Sequence, residues 1–571
     1  MAGHFVRLDD CIFDRPPSLV DHEIADHFRG GEILPIFQLA FRPASLLWAS
    51  NRQGRQGHLL KIPGTIPILA LLCATGTPAI ASATTYYVDS VRGNDQYAGT
   101  SQTQPWQSLA RVNAFPLRPG DQVLLATGSA WKEPLTISRS GRASAPIVVT
   151  AAGDGPRPRI DVGDLSPHGV AVMNAEYVTI SGLEVTNDAP TPAQRFGVLV
   201  SAQDRGVTRG IRISDMYIHD VRGTNDRKDN GGIVFRATGQ KRATRFQDLR
   251  IERNIVWRVD RSGIAGISDR VTFLNWFPSE DVVIRDNYVE DIGGDGIVPR
   301  GTDGALIEHN IVKGAGSRAP GYSAGIWQWS TDNSLIQLNE AAYTRTRYDG
   351  QGFDSDFNSR RTTFLYNYSH DNAGGFLLIC SPKRNDTDNL GNRGTIARFN
   401  VSRNDGTRIF QLSGHVSDAL VEKNVVHVGK GLDVQMVVAT DWDGWARDVR
   451  FRDNIFNVAG TARYGSESGR SGPDYLIRAG FAPAEHVRFN GNVYRGRHID
   501  LPDDADGQFS ATYVEQPADW QIPVFDPARP DGFSDFLIQH RSWMLSMLQR
   551  ELQATVTLKQ PQRISIFETR R

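Results

Sequence analysis

Among 571 residues there are only three cysteines, Cys11, Cys73 and Cys380. Only Cys380 falls in the stretch that reads as folded, so no intramolecular disulfide framework carries the fold. In its strand it reads as a small buried hydrophobe. An excess of charge of one sign is missing too, with 63 Lys and Arg against 64 Asp and Glu. No global field therefore marks a nucleic-acid partner or an anionic membrane surface. The apolar run Ile62 to Cys73 is too short, and too interrupted by Pro63 and Pro67, for a membrane span. No glycine-rich loop leads from a strand into a helix to cradle a nucleotide, and no zinc-ligand spacing occurs. Glycine itself is plentiful, at 55 residues, which suits many short strands and turns. Length alone predicts several domains, but repeat architectures grow in one dimension and escape that prior.

The N-terminus carries an address. Lys61 precedes the apolar run, and Ala81-Ser82-Ala83 offers a small-residue cleavage site, so residues 58–83 read as a signal peptide. The mature chain then begins near Thr84 and is secreted or periplasmic. Leu72 is bulky where a lipoprotein signal places a small residue before its cysteine. Residues 1–57, with Pro16-Pro17 and no periodic pattern, read as a non-native or disordered extension. Residues 84–175 form an N-terminal cap and first rungs, 176–500 the repeat, and 501–571 a covering segment with one helix at Phe533 to Leu552.

The repeat decides the fold. Its unit is an apolar or β-branched run, an Asn, a short strand, a polar turn and a Gly-led strand. The asparagines are Asn254, Asn287, Asn310, Asn339, Asn367, Asn400, Asn424 and Asn454, with Asn492 a ninth. Asn tolerates unusual backbone angles at a sharp bend, and its amide can hydrogen-bond along a stack of identical turns. A buried Asn ladder of this kind satisfies itself as the solenoid extends. The fold class is all-β, a parallel β-helix.

Strands alternate their side chains with period two. With Phe353 pointing inward, the Gly-led strands align Ile233, Ile267, Ile297, Ile326 and Phe376 with it. Three places further along, outward, stand Arg236, Arg270, Arg300, Trp329, Asp356 and Ile379. The same phase sends Gln328 inward between Trp327 and Trp329. An arginine column suits an acidic polymer, because the guanidinium fork binds carboxylates bidentately. Trp327 and Trp329 stack on sugar rings or pack under a loop. Asp354 and Asp356 are separated by about 6.6 Å along the strand, and glycosidases need two carboxyls flanking the scissile bond. Asp349, in an Asp-Gly turn, is a third candidate. His370 closes the next turn on the same groove, and Arg360, Arg361 and Lys383 reach the substrate from nearby turns.

The segments Tyr86-Tyr87-Val88-Asp89-Ser90, Pro105-Trp106-Gln107-Ser108-Leu109 and Pro119-Gly120-Asp121 resemble the opening module of secreted right-handed β-helix proteins of the pectate-lyase-like superfamily. That resemblance implies a right-handed solenoid whose first rung is capped by a strand and short helix. Asp349-Gly350-Gln351-Gly352-Phe353-Asp354, Tyr368 to Phe376 and Phe410-Gln411-Leu412-Ser413-Gly414 are similar to the family-nine polysaccharide lyases. There the first segment gives an Asp to a calcium site, the second gives further aspartates, and the third a lysine base. Here Asp354 is kept, Gly374 and Leu377 replace acidic residues, and Gln411 stands in the base position. Glutamine cannot take a proton, so the fold carries over and the lyase chemistry does not. GFDSD also resembles the Gly-Phe-Asp of alginate epimerases, without the Pro-His that follows it there.

The expected function is a secreted enzyme cleaving a polysaccharide, uronate-containing or otherwise acidic, as a glycoside hydrolase with Asp354 and Asp356 as its pair, Asp349 in reserve and no required cofactor. One alternative is a lyase or uronate epimerase, with Arg300 neutralising the carboxylate or acting as base and Asp354 and Asp356 holding Ca²⁺. The other is a non-catalytic glycan-binding protein.

Overall fold

The computed structural model describes residues 83–571 except 347, 383–388, 468–478, 516–520 and 558–571. The expected extension 1–57, residues 58–82 of the expected signal peptide, and Lys383 lie outside the described residues. Among the described residues forty strands join in one hydrogen-bonded set, with three strands to a typical coil. Gly231–Thr238 pairs in parallel with Ser262–Ser268, Arg245–Glu252 with Ser279–Arg285, and Ile255–Val259 with Tyr288–Ile292. At the open end, Trp106 is fully buried and stacks on Tyr86 at 4.7 Å. The helix Leu109–Ala114, whose first turn Ser108 caps, lies beside it. The expected cap is present, and it covers an apolar rung end that would otherwise face water.

The ladder runs unbroken inside the solenoid. Asn254 Nδ2 donates to Asn287 Oδ1 at 2.9 Å, and the same bond repeats through Asn310, Asn339, Asn367, Asn400, Asn424, Asn454 and Asn492 at 2.9–3.0 Å. It ends on a carboxylate: Asp504 Oδ2 accepts from Asn492 Nδ2 at 2.8 Å and from the Tyr494 hydroxyl at 3.1 Å. The sharp bend itself is not the work of the asparagines. The bend is made by the residue before each asparagine, as at Leu338 (φ 55°), Tyr366 (φ 57°) and Phe399 (φ 56°). The asparagines turn inward and supply only hydrogen bonds.

A second column explains why the strands of one sheet open on glycine. Gly197, Gly232, Gly263, Gly296, Gly325 and Gly352 stack at one corner. A Cβ on any of the first five would sit 2.4–2.9 Å from the carbonyl oxygen of the next glycine. Only residues without a side chain let the coils turn this tightly.

The helix Phe533–Thr557 lies along another sheet. At 1.5 Å per residue its 25 residues span about 37 Å, close to eight rung spacings. Phe533 and Phe536 pack on Tyr217, Ile255, Tyr288 and Ile311. Met544, Met547, Leu548 and Leu552 pack on Tyr368, Val401, Val425, Ile455 and Val493. One acid breaks this apolar strip. Glu340, fully buried between Ile311 and Tyr368 in register, accepts from His370 Nε2 at 3.2 Å and from His540 Nε2 of the helix at 2.5 Å, with Lys313 Nζ at 3.1 Å. Burial pushes its carboxyl up, but Lys313, His370 and His540 outweigh that and hold it well below the usual carboxylate range. Burial pushes the His370 imidazole down, yet its bonds to Asp371 and Glu340 raise it overall.

These shifts set a pH window for helix docking. The Glu340 contribution is present above an unfolded pKa of about 4.3 and lost as pH falls through the folded value. The His370 contribution is complete below about 6.5 and lost as pH rises through its raised value. The melting temperature should peak between these limits. Glu340→Gln should flatten the acid side and cost about 3 kcal/mol, read by thermal unfolding across pH 3–9.

Candidate active site

The site lies on the outer face of the glycine-opened sheet, where the register sets two columns. Leu199, Val234, Ala265, Val298, Trp327, Asp354, Leu378 and Gln411 form one. Ser201, Arg236, Ile267, Arg300, Trp329, Asp356, Cys380, Ser413, Thr440 and Glu467 form the other. Phe353 faces the core and Gln328 turns inward, where its amide donates to Thr362 Oγ1.

The register corrects the expected arginine column at two places. Ser262–Ser268 holds two glycines, and the corner glycine is Gly263 rather than Gly266. Ile267 therefore pairs with Arg236, and Arg270 falls beyond the column, where it donates to the Gly239 carbonyl. Further on, Gly375 pairs with Gln351 rather than with Gly352, so Phe353 faces Leu377, and Cys380, not Ile379, reaches the place beside Asp356. Arg236 lies 5.9 Å from the Phe196 ring and Arg300 5.7 Å from the Trp329 ring.

Other expected site residues lie apart. His370 belongs to the helix-covered sheet, bound to Glu340 and Asp371, and takes no part in this face. Its turn closes on the far side of the coil. Arg360 is clamped by both oxygens of Asp332 at 2.7 Å. With Arg361, Arg393 and Arg447 it lines a separate cavity of about 510 Å³ at the next corner. Trp327 is buried beneath the Lys228 ammonium, 4.4 Å from its ring, so it is no open sugar platform. Trp329 is partly exposed and stacks on Phe357 at 4.8 Å, forming an aromatic wall.

Two carboxyls meet here, Asp354 and Asp356, and Asp349 lies within electrostatic reach of both. Asp354 is buried, while Asp349 and Asp356 each keep some exposure. The Cys380 thiol sits among them, 3.0 Å from Asp356 Oδ1 and 3.8 Å from Asp354 Oδ1. Burial pushes the Asp349 carboxyl up to about 7, helped by the negative charge of Asp356 and opposed by Lys228 and Arg408. Burial, then Asp356 and Asp349, push Asp354 well above the carboxylate range. Burial also raises Asp356, but the Cys380 thiol, the Phe357 N–H, Lys228 and Arg300 all oppose that. Close acidic groups cannot all ionise, so they divide into protonated and charged members.

Calcium takes six to eight oxygen ligands. The ligand atoms of Asp354, Asp356 and Cys380 come within 4.8 Å of one another, but a sulfur bound to its own proton lies at the centre. Burial and the aspartates push that thiol well up, so it stays protonated and offers no oxygen. This donor set does not fit Ca²⁺. Gln411, in the position of the lyase base, receives the Gln351 amide at 3.0 Å and donates to Thr440 Oγ1 at 3.3 Å.

Sequence reasoning passed over Lys228, Arg408 and the polar role of Cys380. Lys228 lies in a charged turn, TNDRKDN, whose composition says nothing of where it reaches. For Cys380, its place three residues after the strand's inward Leu377, in step with Asp356 after Phe353, was the available signal.

Residues 160–341 match the family model for the right-handed β-helix region. The lacto-N-biosidase of Bifidobacterium longum subsp. longum is 29% identical over 493 residues, an alignment that covers 66% of this chain and 30% of that protein. The chain thus spans about three-tenths of the length of that relative. Selenomethionine and native crystal structures of a GH136 lacto-N-biosidase from Eubacterium ramulus superpose with a TM-score of 0.53 at 24% identity, covering 75% of this chain and 68% of theirs. The fold is a right-handed parallel β-helix.

Proposed function

We propose that this chain is a glycoside hydrolase that releases lacto-N-biose from a glycan such as lacto-N-tetraose, with Asp349 as general acid and Asp356 as the ionised carboxylate at the anomeric carbon. The observation that carries this reading is the gathering of the Asp354 and Asp356 carboxyls and the Cys380 thiol within 4.8 Å on one solenoid face, with Asp349 in electrostatic reach. Asp349, held up to about 7 beside Asp356, keeps a proton to give to the leaving oxygen at neutral pH. Asp356 is opposed in its upward shift by a thiol, a backbone N–H and two cations, so it is the member that carries charge. Asp354, buried and protonated, supports it from behind. The substrate follows from likeness to the Bifidobacterium enzyme. It is a neutral sugar, and the outward arginines Arg236 and Arg300 lie against aromatic rings, so an acidic glycan is not required. The segment 58–83 supports action outside the cytoplasm.

The test is incubation of the purified protein with lacto-N-tetraose, followed by chromatography for a released disaccharide. Parallel reactions on uronate polymers are read by ultraviolet absorbance for unsaturated products. Disaccharide release without absorbance is expected; absorbance with no release would overturn the reading.

A further inference from the structure

Lys228 stands out as a cation that reaches the acidic cluster from a distant coil. It sits in the turn between the strands Tyr217–Val221 and Gly231–Thr238. The register from Ile233 through Ile264 and Ile297 to Ile326 places Trp327 three rungs further on, about 14 Å at the usual strand spacing. The turn is fixed by its own bonds: Asn230 Nδ2 donates to the Thr224 carbonyl at 2.6 Å, Gln194 Nε2 to Asp229 Oδ2 at 2.8 Å, and Arg261 N to Asn225 Oδ1 at 2.9 Å. From there the side chain lays its ammonium on the Trp327 ring, and Trp327 pairs in register with Asp354.

We propose that Lys228 is a positioning residue for the aspartate cluster, its ammonium anchored on the face of Trp327, the register neighbour of Asp354, so that one positive charge is held beside the acidic groups. This rests on the glycosidase reading. A simpler role as partner of Asp295 is already filled: Arg261 Nη2 lies 3.0 Å from Asp295 Oδ2, closer than Lys228 Nζ at 3.5 Å. The other charged groups facing the cluster act more narrowly. Arg408 and Asp295 bear on Asp349, and Arg300 bears on Asp356, itself beside Asp295, Arg261 and Asp229. Lys228 bears on Asp349, Asp354 and Asp356 alike, in each case favouring the charged form. The ammonium moves no proton itself; it shifts where the aspartates keep theirs.

The experiment is the pH dependence of kcat/KM on lacto-N-tetraose for the full chain, its Lys228→Met and Lys228→Gln variants, and Lys228→Arg. Removing the cation should move both limbs of the bell toward alkaline pH by about 1 unit, so that activity on the acid limb falls roughly tenfold. Lys228→Arg should restore the original limbs. The side chain is one-third exposed, and unchanged melting temperatures establish that the variants fold. Should Met destabilise the turn, Gln, which keeps a polar end, reads the same shift. A profile scaled down but unmoved, or limbs that move in Arg as in Met, would overturn the inference. If Asp349→Asn and Asp356→Asn keep full activity, it is the glycosidase reading itself that fails.

Discussion

Asp356→Asn should abolish turnover of lacto-N-tetraose, and Asp349→Asn should lower kcat/KM by about 10²–10⁴, the usual worth of a positioned general acid. The two losses differ in kind. An aryl glycoside with a p-nitrophenyl leaving group needs no proton on departure, so Asp349→Asn should lose far less on that substrate, whereas Asp356→Asn should lose activity on both. The pH profile follows from the same assignment. Activity needs Asp349 protonated, and burial holds that group at about 7, so the rate falls as pH rises past neutrality. It also needs Asp356 ionised, and burial raises that group above its ordinary value, so the acid limb is displaced upward from that of a free aspartate. With the aryl glycoside the alkaline limb should disappear. Asp354→Asn is the internal control: the carboxyl is buried and protonated, and an amide of the same shape also carries N–H protons, so kcat/KM should stay within about tenfold. A loss at Asp354 matching that at Asp356 would return the catalytic pair to the two carboxyls of one strand.

Asn339→Ala should destabilise the solenoid by about 3–6 kcal/mol, because one side chain satisfies several buried groups. Its Oδ1 accepts from Asn310 N at 2.9 Å and Asn310 Nδ2 at 3.0 Å, and its Nδ2 donates to the Ile307 carbonyl at 2.9 Å and to Asn367 Oδ1 at 3.0 Å. None of these lies where water can replace the lost partner, since Asn310, Asn339 and Asn367 are fully buried. Arg345 sits exposed on the same coil, so Arg345→Ala should change stability by about 0.5 kcal/mol or less. Urea denaturation midpoints of the two variants test the contrast directly.

The solenoid was legible because one constraint repeats. From Asn254 to Asn492 each coil places an inward amide at the same bend, so asparagines recur at a readable interval even though the turns between them vary in length. The faces were legible only where one marker was unique. Phe353 fixed the phase around Asp354 and Asp356, and the inward turn of Gln328 followed. Where two glycines competed, in Ser262–Ser268, the pattern could not tell the corner glycine from one that merely packs against Phe235, and Arg270 was misplaced. His370 was misread for a related reason. Nearness in sequence to Asp354 carries a residue around the coil, onto a face that a helix from the far end of the chain covers. Lys228 was invisible because its reach depends on the path of a turn, which no periodicity records.

The asparagine ladder has a direction, and its last member has a consequence for how such a chain changes length. Each amide donates a hydrogen bond forward and accepts one from behind, so a duplicated coil inserted anywhere between Asn254 and Asn492 brings both halves of its own connection. Asp504 can only accept, and it already takes N–H groups from Gly491 and Asn492, the Asn492 amide and the Tyr494 hydroxyl. A coil appended after it would meet a carboxylate with no proton to offer. An added coil is thereby accommodated in the interior of the solenoid, where one inserted beyond Gly414 would lengthen the groove and leave Lys228, Arg408 and the acidic cluster in place.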